Sequence, residues 1–168
     1  MALKADRHEL DVDISFFYNE GTAERGGVVV LDTVGSGAAM DQAGAKVKYA
    51  VATNALIPVG ILLNDVVNLD LTRQHINWHQ DEVQKGGKVT ILRKGYVVTN
   101  SLSCATAAVA GDPAYSQLDG TIANSGCVSD DTGRGSGPIG SFLSSVDEDG
   151  YAKVEVNLPN HPNSPSIS

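Results

Sequence analysis

The residues best equipped for chemistry gather in one polar stretch, Thr72–Lys85. His75 and His79 stand four apart, and Glu82 follows. On a helix that spacing would put two imidazoles on one face, as a metal site requires. No Glu follows His75, so the His-Glu-x-x-His pattern is absent. The only aliphatic residues of the stretch are Ile76 and Val83, too few for an amphipathic core helix. The stretch therefore reads as a surface insert, a loop or a short helix. Arg73, His75 and His79 read there as polar contact residues, and Trp78 stands among them. A Trp on a polar insert is more often an interface anchor than a core residue. The other reading of Trp78 is a lid folded back on its own domain.

The remaining constellations do not assemble a site. Gly133-Arg134-Gly135-Ser136-Gly137 offers backbone N–H groups to a phosphate, but lacks the Gly-Lys-Ser/Thr ending of a P-loop. Asp147-Glu148-Asp149-Gly150 lacks the alternate-position ligands and distal Glu of a calcium loop, so it reads as a charged hairpin turn. There is no Gly-x-Ser-x-Gly elbow. Cys104 and Cys127 stand alone, without Cys-x-x-Cys spacing, and read as two small buried thiols. No catalytic residue, metal or cofactor is expected. An acidic all-β chain of this length also fits a nucleotide hydrolase of the dUTPase kind, but the substrate motifs of that family are missing.

Composition narrows the partners. The chain has 168 residues and a formal net charge of -8. Clustered Lys and Arg, needed to neutralise phosphates, are lacking, so nucleic acid is disfavoured, and so is an anionic membrane surface. The opening MALKADRHELDVD has no apolar leader core. No apolar run approaches the ~20 residues of a membrane span. These features predict synthesis in a reducing cytoplasm.

The elements that must position any site read as strands. Eighteen glycines punctuate short apolar or β-branched runs, the pattern of an all-β domain with many turns. Met1–Asp6 reads as a loose arm. Leu10, Val12, Ile14 and Phe16 alternate with Asp11, Asp13 and Ser15, which predicts a half-buried strand. Val28–Leu31 and Val59–Leu63 are fully apolar strands. Val47, Tyr49 and Val51 form one side of another, and Val67, Leu69 and Leu71 one side of a fourth. Val89–Leu92 and Tyr96–Thr99 predict a hairpin across Arg93-Lys94-Gly95. Gly111-Asp112-Pro113 and Asp119-Gly120 are turns. Ser129–Gly137 reads as a flexible loop, and Ala152, Val154, Val156 and Leu158 share a strand face. Pro58-Val59-Gly60-Ile61-Leu62-Leu63 is echoed by Pro138-Ile139-Gly140-Ser141-Phe142-Leu143, which predicts two similar strands entering one core. The domain plan is an arm and first strand over 1–17, a β-barrel or sandwich-like domain over 18–158 with the 72–85 insert, and a flexible tail over 159–168.

The order of these phrases carries a resemblance. Gly26–Val30, then Pro58–Leu62, Asn68–His75, Asp81–Leu92, Lys94–Thr99, Ala110–Tyr115, Ile139-Gly140 and Asp149–Val154 resemble the capsid decoration, or cement, proteins of tailed bacteriophages, particularly cyanophage-like ones. The resemblance spans about Gly26 to Leu158. It implies a small non-enzymatic β-domain attached outside an HK97-type shell, with the major capsid protein and further copies of itself as partners. A homotrimer is the favoured assembly and a dimer the alternative. Arg73, His75, Trp78, His79, Phe16 and Phe17 are the expected protein–protein interface. The competing reading is a tail- or fibre-associated module that binds a host glycan, which needs exposed aromatics around a polar groove.

Overall fold

A computed structural model describes residues 3–32, 45–49, 57–67, 82–103, 108–117, 119–124 and 134–158, with backbone alone for 134–137. Twelve strands and no helix occur among the described residues. The strands are β1 (Leu3–Asp13), β2 (Phe17–Tyr18), β3 (Val28–Leu31), β4 (Lys46–Tyr49), β5 (Pro58–Leu62) and β6 (Asp65–Val67). Next come β7 (Glu82–Gln84), β8 (Ile91–Thr99), β9 (Pro113–Gln117), β10 (Ile122–Asn124), β11 (Arg134–Phe142) and β12 (Ala152–Asn157).

The main sheet runs β10-β9-β11-β12-β8-β5-β3-β4-β2, with β1 added beside β8; β6 and β7 form a separate parallel pair. The fold is all-β, as the turn-rich composition predicts. It is not a closed barrel: among the described residues β10 and β2, the two ends of the sheet, do not pair. The sheet instead folds over so that the β9–β10 turn meets β3. There the Val28 N–H donates to the Gly120 carbonyl at 2.8 Å, a single bond where a barrel would have a ladder.

The apolar runs are continuous because their strands are buried on both faces. Val28, Ile61 and Leu92 point into one core, with Ala114, Ile122, Ile139, Phe142, Val154 and Val156. Their neighbours Val29, Leu62 and Ile91 point into a second core, with Tyr18, Val47, Val59, Val66 and Val89. So β3, β5 and the start of β8 form a septum shared by two cores. Each fully buried aliphatic side chain there contributes about 1.5–3 kcal/mol. Where only one face is covered, alternation returns: in β12, Ala152, Val154 and Val156 are buried while Glu155 and Asn157 are exposed.

The two Pro-apolar-Gly phrases occupy β5 and β11 and do the same work in each. Val29 pairs with Gly60 and Val30 with Pro58, which leaves Val59 as an extra residue. Ala114 pairs with Gly140 and Tyr115 with Pro138, which leaves Ile139 extra. Each phrase is thus a β-bulge toward one neighbour. On the other side each glycine presses against a backbone carbonyl. A Cβ on Gly60 would fall on the Leu92 oxygen, and one on Gly140 on the Glu155 oxygen. The next residue pairs with that same carbonyl's owner in both cases, Ile61 with Leu92 and Ser141 with Glu155.

Four expectations are corrected. The hairpin across Arg93-Lys94-Gly95 does not exist, because β8 is one strand from Ile91 to Thr99. Gly95 has a positive φ of 138° within the strand, and β1 closes so near that the His8 carbonyl oxygen sits where a Cβ would stand. The turn signal marked a close approach, not a reversal. The loop expected over Ser129–Gly137 gives way at Arg134, where β11 begins by pairing with Gln117 of β9. Glu82–Gln84, assigned to the polar insert, is a strand because β6 offers it a partner. The first strand starts at Leu3 rather than after a loose arm, because the open flank of β8 receives it.

Candidate functional site

Among the described residues, no three His, Cys, Asp or Glu side chains converge as metal ligands. One shallow concavity among the described residues is lined by Thr22, Ala23, Glu24, Asp65, Val66, Val67 and Glu82. Its central carboxylate is committed within the chain: Asp65 accepts the Arg25 backbone N–H at 2.8 Å and lies 3.8 Å from the Arg25 guanidinium. Buried phenols pack nearby in the second core. Tyr18 and Tyr49 meet edge to face at 6.3 Å, and burial pushes both hydroxyls upward from their ordinary range. The Tyr49 ring lies 2.9 Å from where a Cβ on Gly27 would stand. Both tyrosine rings pack into the second core.

The surface feature that stands out is apolar and lies along β1. Leu10 is 69% exposed, Val12 36% and Ile14 63%. Their alternation predicts a half-buried strand, and the strand forms, but no part of the described chain covers that stripe. Period two reports that a strand has an apolar side. It does not report whether the same chain supplies the cover. Contiguous exposed apolar side chains of this kind mark surfaces that meet something else. The far edge of β1 is also unpaired among the described residues.

Charged side chains border the stripe. Lys4 reaches Asp147 at 2.8 Å and sits 4.1 Å over the Tyr151 ring. Lys153 reaches Asp6 at 3.3 Å and sits 3.9 Å over the Tyr96 ring, which His8 also approaches. The Lys4 hydrogen bond holds the Asp147 carboxyl below its usual range, helped by the Tyr151 and Asp149 backbone N–H groups. The same bond raises the Lys4 ammonium. At the other end of β1, desolvation works to raise Asp13. The Ser15 hydrogen bonds and the Arg93 charge outweigh it, so the carboxyl lies below its ordinary value.

Phe16 and Phe17, two of the predicted contact residues, lie just beyond Ile14 and are both half-buried. Phe16 is half-buried against the second core, and its carbonyl accepts the Val89 N–H at 3.0 Å. Phe17 joins β2, pairs with Lys46, and has the Lys88 ammonium 5.6 Å from its ring centre. Arg73, His75, Trp78 and His79 lie outside the described residues, as do Cys104, Cys127 and the 159–168 tail.

A protein-family comparison decides the class. The model of a family described as "Structural cement protein (E217 gp24/Pam3 gp6)" matches residues 11–157, most of the chain. The chain belongs to the phage structural cement protein family. No curated protein matches it. For a structural cement protein, an open two-core β-sheet with an uncovered apolar strand is a coherent design. The family match begins at Asp11, inside the exposed stripe.

Proposed function

We propose that this cement protein binds the outside of an HK97-type phage capsid and ties neighbouring major capsid protein subunits together, without enzymatic activity. The observation that carries this reading is exposed Leu10 and Val12 on edge strand β1, followed by exposed Ile14 just past its end, in a chain of a structural cement family. Covering those side chains by a shell subunit removes apolar area from water at about 25 cal/mol per Å². The test is capsid occupancy. Leu10→Asp with Ile14→Asp is expected to lower occupancy at least about tenfold, since each places a charge in a desolvated contact. The free protein should keep its melting temperature, because neither side chain is in a core. Full occupancy of the shell by the double variant would reject this face.

Self-association completes the proposal. Linked contacts raise avidity by about 10²–10⁴-fold without any single strong site, so a cementing protein gains from closed symmetry. A homotrimer is the favoured state and a dimer the alternative. Light scattering on the free protein is expected to give a discrete oligomer at micromolar concentration. A monomer at every concentration, bound singly on the shell, would overturn this part.

The glycan-binding reading receives less support. It needs open aromatic faces, and the rings of Tyr96 and Tyr151 already carry Lys153 and Lys4.

A further inference from the structure

Strand β1 is joined to the domain differently from the other long strands. Of its 11 residues only Leu3 is buried, and residues 5–12 are all exposed. Its ladder with β8 is interrupted between Leu3 and Arg7, between Glu9 and Asp11, and between Asp11 and Val12. By contrast β12 pairs with β8 without a break from Ala152 to Asn157 and buries three side chains.

The flanks of β8 explain what removing β1 would cost. Ile91 and Leu92 pair with both β1 and β5, while Lys94–Thr99 pair with β12 and, in part, β1. A strand has two edges, so β5 and β12 share one in turn and β1 has the other to itself. Both cores therefore keep their strands when β1 leaves, apart from the Leu3 side chain.

Side-chain attachment of β1 is electrostatic: at its far end Arg93 reaches Asp13 at 3.4 Å in a half-buried pair, and the pairs nearer its start are more exposed. Lys4–Asp147 and Lys153–Asp6 bridge it to the β11–β12 turn and to β12, and the same lysines rest on Tyr151 and Tyr96. Such pairs are weak individually and are screened by salt. The far end is fixed, since the Phe17 N–H donates to the Ala45 carbonyl at 3.0 Å and Val89 holds the Phe16 carbonyl. Between these attachments Ile14 and Ser15 are exposed, where a hinge can act.

We propose that β1 is an electrostatically latched strap that lifts off β8 as a unit while the rest of the sheet stays folded. Lifting opens one flank of β8 and carries Leu10 and Val12 away from the sheet on a tethered segment. Sub-global opening of this kind is expected where buried apolar contacts are few.

Hydrogen exchange on the free full-length protein tests it, at constant pH and with rates corrected for intrinsic exchange. Amides in β1 are expected to exchange at least about tenfold faster than those of β12 and β3. Raising salt from about 20 mM to about 500 mM should speed β1 several-fold further and leave β12 and β3 unchanged. Lys4→Gln combined with Lys153→Gln should speed exchange over residues 3–9 at low salt toward the high-salt rates, with the Arg93–Asp13 pair still holding the far end. Equal rates in β1 and β12 at both salt concentrations would overturn the proposal. So would a salt effect of the same size in all three strands, which would report loosening of the whole fold.

Discussion

Gly60→Ala and Gly140→Ala are each expected to destabilise the fold by about 3 kcal/mol, the upper end of overpacking penalties. In each case the added methyl meets a backbone carbonyl, Leu92 or Glu155, and backbone within a sheet cannot rotate aside as a side chain can. Relief requires separating β5 from β8, or β11 from β12, and those pairs border the cores. Reduced chain entropy in the unfolded state offsets only about 0.4–1 kcal/mol. For a domain of this size the net change corresponds to roughly 6–12 °C in melting temperature. Gly21→Ala is the control, since nothing lies within 4 Å of its added Cβ, and it should stay within about 0.5 kcal/mol of the parent. Urea unfolding of the three variants decides the matter. Parent-like stability in Gly60→Ala or Gly140→Ala would mean that the bulged strands stand farther from their neighbours than described here. The equivalence of the two phrases adds a sharper expectation, that the two substitutions cost similar amounts.

Trp78→Ala is expected to weaken association with the shell or with a second copy by about 2 kcal/mol or more, as a truncated aromatic anchor does. Trp78 is the chain's one tryptophan and stands on a polar stretch, near His75 and beside His79. A large exposed aromatic invites aggregation unless a partner covers it. We propose that the partner is the major capsid protein or a neighbouring cement subunit. If Trp78 instead closes over its own domain, the substitution lowers the melting temperature of the free subunit and leaves occupancy nearly unchanged. Measuring both quantities on one variant separates these outcomes, and unchanged occupancy rejects the contact assignment. Together with the Leu10 and Ile14 substitutions, the experiment also asks whether the insert and the N-terminal strand serve one contact or two.

Family membership was legible from the order of short phrases, because turn residues and strand periods recur in fixed succession. The candidate contact surface was legible only in part. The sequence marked Phe16 and Phe17 as contact residues, and both are half-buried, Phe16 against the second core and Phe17 beside Lys88. Leu10, Val12 and Ile14, which their alternation had placed half inside, are among the exposed large apolar side chains. An apolar side chain says that it needs cover, and not which chain provides it.

Local chemistry alone determined the all-β class, the turns at Gly111-Asp112-Pro113, Asp119-Gly120 and Asp147–Gly150, and the inward face of Ala152–Leu158. Each follows from neighbours a few residues apart: side chains alternating across a strand, or an Asp accepting a nearby backbone N–H, two residues on at Asp119 and Asp147 and three residues back at Asp112. Tertiary structure decided the rest. The septum between two cores, the unbroken course of β8 through Arg93-Lys94-Gly95, and the place of β1 all depend on distant partners. Leu3 pairs with Thr99, and Val28 with Ile61. Glycine illustrates the boundary most plainly. Its presence at positions 60, 95 and 140 is written in the chain, but a missing side chain signals a turn and a close approach alike. Only the carbonyls of Leu92, His8 and Glu155, brought against those three positions by the sheet, resolve which one is meant.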